Sequence, residues 1–304
     1  MIVLTGTTGG LGSSVLKHIL KLVDPSQLII SLYNPSTAPL VPSGVRVRRG
    51  DYADPASLDA AFAGADTLLL VSYPSIAHEL RVERHKAAID AAVRVGIKRI
   101  WYTSLAFADN SVSEVMQAHL DTEAYLKQSG LVYTILREGI YAESFPLYLG
   151  ESLRFFDKNK GTDDVYVPGD GKIAWASRDD LGEATARLIV ADTHRDETVL
   201  LSGPACNNIT LAELAALISR LLNRSIRVNI VSLDEYVSRN RDAPPPRNDE
   251  DFLRKWAKTF DAMARGETGH VTRLLENVLG RPATPLEEVL ALQMGSGAIE
   301  QYAK

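Results

Sequence analysis

Short apolar runs alternate with longer stretches of helical period over the first 140 residues of this chain. Ile2 to Thr5, Leu28 to Leu32, Arg46 to Arg49, Thr67 to Ser72, Arg99 to Thr103, Val132 to Leu136 and Thr198 to Leu201 read as strands. Between them, Leu11, Val15, Leu16, Ile19 and Leu20 recur on one face of a helix. Asp54-Pro55 is an N-cap followed by proline at the first helical position, and that helix should end near Gly64. Ser111-x-x-Glu114 predicts a capping box on a helix that stops at Gly130, and Thr210-x-x-Glu213 and Thr284-Pro285-x-Glu287 repeat the device. Strand and helix in this order predict an α/β fold: a Rossmann-type doubly wound parallel sheet with helices on both faces.

After about residue 140 the alternation weakens. Tyr141 to Lys160 is aromatic-rich and irregular, and Asn240 to Asp251 holds three prolines among charges, which suits an exposed loop. Phe252, Trp256, Phe260 and Met263 then form one apolar helix face for packing on the C-terminal portion. The division expected is a dinucleotide-binding domain over 1–150 and 171–203, with 151–170 and 204–304 forming a smaller substrate-binding portion.

The candidate chemistry begins at the first strand-to-helix turn, Gly6-x-x-Gly9-x-x-Gly12. Glycines there allow a tight turn and close backbone approach, and the helix N–H groups face a pyrophosphate. Thr5, Gly6, Thr8, Gly9, Gly10, Leu11 and Gly12 are the expected cradle. Ligands of such sheets lie across the carboxyl ends of the strands, which adds Tyr33, Asn34, Asp51, Ser72 and Tyr73 as cofactor candidates. An acid after the second strand usually reads ribose hydroxyls, and an arginine there the 2′-phosphate; Tyr33 is neither, and no Lys or Arg lies between Lys21 and Arg46. The cofactor is therefore NADP or NAD, with the choice left open.

Composition narrows the rest. A hydrophobic fraction of 45% with 23% charged residues suits a globular protein, and a net charge of -5 without a long Lys/Arg block argues against a nucleic-acid surface. One cysteine, Cys206, excludes an internal disulfide and fits a reducing compartment. With no apolar run of transmembrane length and a strand and glycine loop at the N-terminus, the expectation is a cytoplasmic protein without a membrane role. The six histidines offer no His-x-x-x-His pair, so no metal site is expected, and no Gly-x-Ser-x-Gly elbow is present.

The segments GDYAD at Gly50 to Asp54, LLLVSYP at Leu68 to Pro74, WYTSLAFAD at Trp101 to Asp109, HLDTEAYLKQSGLVYTILREGIYAES at His119 to Ser144, PGDGKIAWASRDDLGEA at Pro168 to Ala184 and GRPATPLEEVL at Gly280 to Leu290 resemble, with the glycine start, the NmrA-like family of atypical short-chain dehydrogenases/reductases. Within it the pattern is closest to NAD(P)H:quinone oxidoreductase type 2-like proteins. The resemblance implies that Asp51 contacts adenine and that Thr103, Ser104 and Leu105 lie near the nicotinamide. It also places an arginine where this chain has Tyr33.

Typical short-chain dehydrogenases use Tyr-x-x-x-Lys to move a proton at a carbonyl. No tyrosine here has Lys four residues on, and Tyr133 with Arg137 lies on a strand, too far apart to cooperate. The helix that should carry the motif instead offers His119-x-x-x-Glu123, on one face. Without a positioned acid, unactivated ketones are poor acceptors, whereas a quinone gives a delocalised anion that water protonates. The expected function is an NAD(P)H-dependent oxidoreductase reducing a quinone or similar planar conjugated acceptor, with Thr103, Ser104, His119 and Tyr141 as catalytic candidates. Tyr141, Glu143, Phe145 and Tyr148 are placed where a substrate wall would rise, while His78, Arg81, Arg84 and His85 read as a charged helix face with His85 able to reach the pocket mouth. Alternatives are an NAD(P)-sensing regulatory protein without turnover and a non-redox biosynthetic enzyme. The expected partner is an aromatic or quinoid small molecule, and a homodimer is the candidate assembly.

Overall fold

The computed structural model describes residues 1–149, 164–243 and 245–296; the parts of the segments read above that fall at 150–163, at 244 and beyond 296 lie outside them. In chain order the first half runs β1 (Ile2–Thr5), α1 (Gly10–Ile19), β2 (Leu28–Leu32), β3 (Arg46–Arg49), α2 (Pro55–Phe62), β4 (Thr67–Leu70), α3 (His78–Arg94), β5 (Arg99–Leu105), α4 (Glu114–Lys127) and β6 (Val132–Glu138). There follow α5 (Phe145–Tyr148), β7 (Asp164–Val167), β8 (Ile173–Ala174), α6 (Arg178–Ala191), β9 (Glu197–Leu201), β10 (Asn208–Ile209) and α7 (Leu211–Leu222). The last elements are β11 (Arg227–Ile230), α8 (Leu233–Arg239), α9 (Glu250–Ala264), α10 (Leu274–Leu279) and α11 (Leu286–Ser296).

Seven strands form one parallel sheet in the order β3-β2-β1-β4-β5-β6-β9. All seven strands read from the sequence are in it, and the fold is the expected Rossmann-type one. The chain reverses direction across the sheet between β1 and β4, where α/β sheets of this kind open a crevice at the carboxyl ends of their strands. Leu4, Val15, Ile19, Ile30, Leu69 and Trp101 pack with α6 and α10 on one face; Val3, Ile29, Leu58, Phe62, Leu68, Ile89 and Tyr102 pack with α2, α3 and α4 on the other. Central strands are buried on both sides, which is why they read as unbroken apolar runs.

The C-terminal portion adds two small sheets, β7 with β11 in parallel and β8 with β10 antiparallel, and a third core around Phe145, Trp175, Leu214, Phe260 and Met263. As expected, α9 turns Phe260 and Met263 inward, with Trp256 packed against them. No helix of the described residues is long and apolar enough to cross a membrane.

The helix caps divide. Asp54 accepts from Ser57 N ahead of Pro55, and Thr210 with Glu213 closes both halves of a capping box. The box expected at Ser111 does not form: the cap position of α4 is Ser113, and Ser111 Oγ accepts from Ser113 N instead of from the helix. A serine two residues before another can satisfy a turn as readily as a helix start. Near the C-terminus, α11 starts at Leu286 with Glu287 and Glu288 in its first turn, while Thr284 N donates to Asp180.

Candidate active site

The three glycines of the loop have three separate tasks. Gly6 takes a φ of 65°, and a Cβ on it would sit 2.8 Å from that of Val71. Gly12 lets the helix start lie on the loop, because a Cβ there would fall 2.2 Å from the Gly6 carbonyl oxygen. Gly9 is different: its backbone is ordinary for any residue, and a Cβ would meet only Gly6 O, at 3.3 Å. Gly9 donates to Gly6 O, and no described side chain caps α1, so its leading N–H groups have no side-chain partner. Thr8, Gly9 and Gly10 are exposed, whereas Leu11 and Gly12 are buried beneath them.

Two further groups fix this helix start. Arg178 lies against it, so close that a Cβ on Gly10 would meet the guanidinium, and its charge is shared with Glu143. Asp179 accepts from Ser14, Lys17 and His18, joining α6 to α1. Thr5 is buried and acts as a clasp: it donates to Leu69 O and accepts from Val71 N, with the Tyr52 hydroxyl 2.9 Å away. Burial raises the Tyr52 pKa, so this phenol stays neutral.

Beyond the carboxyl ends of β2 and β3 opens a cleft of about 400 Å³, lined by Tyr33, Asp51, Tyr52, Ala53, Tyr73 and Arg84. Tyr33 is 74% exposed there. Asn34 turns back to cap its own loop through Ser36, and Asp51 accepts from Ala53 N. No cation lies near Tyr33 along the chain, with none between Lys21 and Arg46. The sheet brings one: Arg49 pairs in register with Leu32, although Asp54 at 2.7 Å and Asp51 at 3.4 Å hold its guanidinium.

A second cluster lies at the ends of β4 and β5. Thr103 Oγ1 accepts from Ser72 N, and Ser104 Oγ donates to Glu123 at 2.6 Å. Glu123, 2% exposed, takes both arms of Arg137 at 3.0 and 2.8 Å. His119 and Glu123 do share one helix face, as their spacing predicts, and both are buried. His119 Nδ1 lies 2.8 Å from the Tyr102 hydroxyl, and Arg81 Nη1 lies 3.4 Å from its Nε2. Burial, with the Arg81 charge beside it, holds the His119 pKa well below its usual value, so its imidazole is neutral.

Helix α3 does not carry His78, Arg81, Arg84 and His85 on one charged face. His85 is fully buried: Tyr73 N donates to its Nε2, which places its proton on Nδ1, facing Thr122. Burial, and next the Arg81 charge, push its pKa down to about 3. It cannot reach a pocket mouth, and Arg81 leans inward beside it. The substrate wall also contracts. Phe145 and Tyr148 belong to the third core, where Tyr148 meets Trp175 edge-on at 5.4 Å. Tyr141 stays partly open, bridged to Ala176, with the Arg178 guanidinium 5.9 Å over its ring. Arg81, Arg178, Tyr52 and Arg137 are the site neighbours that the sequence did not disclose. Among the described residues no group of three or more His, Cys, Asp or Glu could hold a metal ion.

Comparison with known proteins agrees with this architecture. The oxidoreductase flvB of Aspergillus flavus, which carries an NmrA-like family domain, is 34% identical over 296 residues, covering 93% of this chain and 91% of its own. The NADPH-dependent quinone oxidoreductase of Escherichia coli, solved with NADPH, superimposes with a TM-score of 0.82 at 32% identity, over 96% of this chain and 99% of that one. Triphenylmethane reductase of Citrobacter sp., solved with NADP(H), gives a TM-score of 0.83 at 32% identity over 97% and 100%. The NmrA-like family pattern itself matches residues 1–289. The chain belongs to the NmrA-like family.

Proposed function

We propose that this protein is an NAD(P)H-dependent oxidoreductase that reduces a quinone or a similar planar conjugated acceptor. The observation that carries the reading is an uncapped glycine-loop helix and Tyr141 both lying against Arg178, in a chain with no Tyr-x-x-x-Lys pair. The site fits a dinucleotide: besides the open Gly9, the loop hydroxyl Thr7 Oγ1 is buried without a hydrogen-bond partner, which is unusual for a closed structure. Relatives of the same length bind NADP(H), and their names include reduction of quinones and of triphenylmethane dyes, both flat and conjugated.

In this reading Thr5, Gly6, Thr8, Gly9, Gly10, Leu11 and Gly12 hold the pyrophosphate, while Tyr33, Asn34 and Asp51, with Ser72 and Tyr73, hold the adenosine side. Residues 1–150 with 171–203 form the cofactor domain, and 151–170 with 204–304 the acceptor side. When bound, the reduced nicotinamide supplies hydride. Thr103, Ser104 and Tyr141 orient the reacting faces, so that proximity supplies most of the acceleration. His119 is neutral and buried, on the inner side of Arg81, and so supports the site instead of donating a proton from it.

The test is steady-state turnover followed by nicotinamide absorbance. Quinones should oxidise NAD(P)H readily, and simple aldehydes and ketones hardly at all, because a positioned acid typically contributes about 100- to 10,000-fold. Efficient reduction of simple ketones would show that a proton donor exists that this structure does not identify; no turnover with either class, despite cofactor binding, would favour a sensing role.

Cofactor choice has its own test. With Tyr33 exposed and Arg49 already held by two carboxylates, the wild type should not strongly prefer NADPH over NADH. Tyr33→Arg should move preference toward NADPH by about 1.5–3 kcal/mol, the worth of a hydrogen bond to a charged group. Dissociation constants of both cofactors for both proteins check this, and a wild type already selective for NADPH would mean that another segment reads the phosphate.

A further inference from the structure

Among the described residues Arg81 is a cation without a counter-ion. It forms no ion pair with a carboxylate among the described residues, unlike Arg137, Arg178 and Arg281, which all do. Two of its nitrogens are anchored: Nε donates to Tyr73 O at 2.9 Å, and Nη1 points at His119 Nε2 at 3.4 Å. An arginine only donates, so His119 accepts and carries its proton on Nδ1, towards the Tyr102 hydroxyl. Neither neighbour neutralises the charge. Among the described residues the third nitrogen, Nη2, has no hydrogen-bond partner, and it is not fully buried.

Its surroundings make an unpaired charge costly. Burial lowers the Arg81 pKa, with the phenols of Tyr102 and Tyr141 opposing that shift, yet a guanidinium stays protonated in proteins. A half-buried, rigidly held cation with no acid to offset it is the arrangement expected where an anion arrives during function. The anchoring residues locate it. Tyr73 lies in the connection after β4, His119 belongs to the helix after β5, and Tyr141 follows β6, so Arg81 stands on the β4–β6 side of the crevice.

We propose that Arg81 is an oxyanion site, its Nη2 taking the phenolate-type oxygen that a conjugated acceptor carries once reduced. This rests on the reading of the protein as a reductase of such acceptors. The balance is simple: hydride, an electron pair with its proton, leaves the reduced nicotinamide, which becomes oxidised, and adds to the quinone, which becomes a hydroquinone monoanion. Arg81 stabilises that charge until water delivers the second proton. The guanidinium thus replaces the missing tyrosine–lysine pair by holding negative charge where that pair would have quenched it.

The experiment uses 4-nitrophenol, whose ionised form absorbs visible light, with the purified protein at a pH below the dye's own pKa and with the oxidised cofactor present. Wild type should bind the dye as phenolate. Arg81→Met should return its ionised fraction to that of the free dye and weaken binding at least tenfold, while Arg81→Lys keeps part of the effect. Arg81→Gln, which retains a donor for Tyr73 O, serves if methionine disturbs folding, as judged by circular dichroism. In quinone turnover the loss should be on the order of 100-fold in kcat, the scale of one removed oxyanion donor, and larger than any change in the cofactor dissociation constants. A dye that wild type does not ionise, or ionises equally in the Met and Gln variants, overturns the proposal. A protein that ionises the dye through Arg81 but reduces no quinone keeps the anion site and discards the reductase reading.

Discussion

Gly9→Val is expected to abolish dinucleotide binding while leaving the protein folded. The backbone at Gly9 has φ -89° and ψ 170°, which valine adopts without strain, and its Cβ would need to gain only a few tenths of an ångström from Gly6 O at 3.3 Å. The branched side chain then projects over the exposed N–H groups of α1, where a phosphate must approach. Loss of those charge-assisted contacts, about 1.5–3 kcal/mol each, together with the helix-end field, should weaken NADH and NADPH by ~100-fold or more, about 2.7 kcal/mol. Gly12→Ala is the contrast. Its Cβ would fall 2.2 Å from a backbone oxygen, so the loop must shift, and overpacking of this kind typically costs about 1–3 kcal/mol of stability. Titration calorimetry alongside thermal unfolding separates the two; a folded Gly9→Val protein with unchanged affinity would leave the loop a purely structural turn.

Arg137→Met should be the most destabilising single change at the site. Its guanidinium grips the buried Glu123 through two hydrogen bonds, and only its third arm reaches the exposed Asp109. Methionine fills much of the space but leaves a carboxylate in the interior with Ser104 as its remaining described partner. Breaking one half of a buried pair costs about 3–5 kcal/mol, which for a chain of this size lowers the melting temperature by on the order of 10 °C. Replacing both residues, Arg137→Met with Glu123→Leu, should recover much of the loss, since no charge is then stranded. If the double variant is no more stable than the single one, the pair is worth more than its desolvation cost.

What the sequence disclosed follows from what periodicity can see. The central strands of the main sheet are apolar on both faces, so their runs stand out, and local signals such as Asp54-Pro55 and Thr210-x-x-Glu213 act within one turn. Other features needed more than periodicity. Arg49 came beside Tyr33 only through the β2–β3 register. Ser111 had two equivalent backbone donors to choose from, and it took Ser113 N. On α3 the clue was present: Val82, His85, Ala88, Ile89 and Ala92 form one buried stripe, so His85 stood in an apolar row while its polar character suggested the surface. Phe145 and Tyr148 had no such row to declare them core, because α5 is a single short turn.

The two margins of the main sheet are finished differently, and that bears on how copies of the chain meet. At one margin the Leu200 carbonyl of β9 is covered by the Thr272 hydroxyl. At the other, β3 is short and reads Arg46, Val47, Arg48, Arg49, with Arg48 drawn aside to the last carbonyls of α2 at Ala60, Ala61 and Ala63. A brief strand crowded with like charge is a poor template for a neighbouring strand, because docking a second copy edge to edge would bring guanidinium against guanidinium. Fibrous growth by sheet extension is thereby discouraged in a protein whose largest feature is an open sheet, and any orderly association of copies is left to helix and loop surfaces.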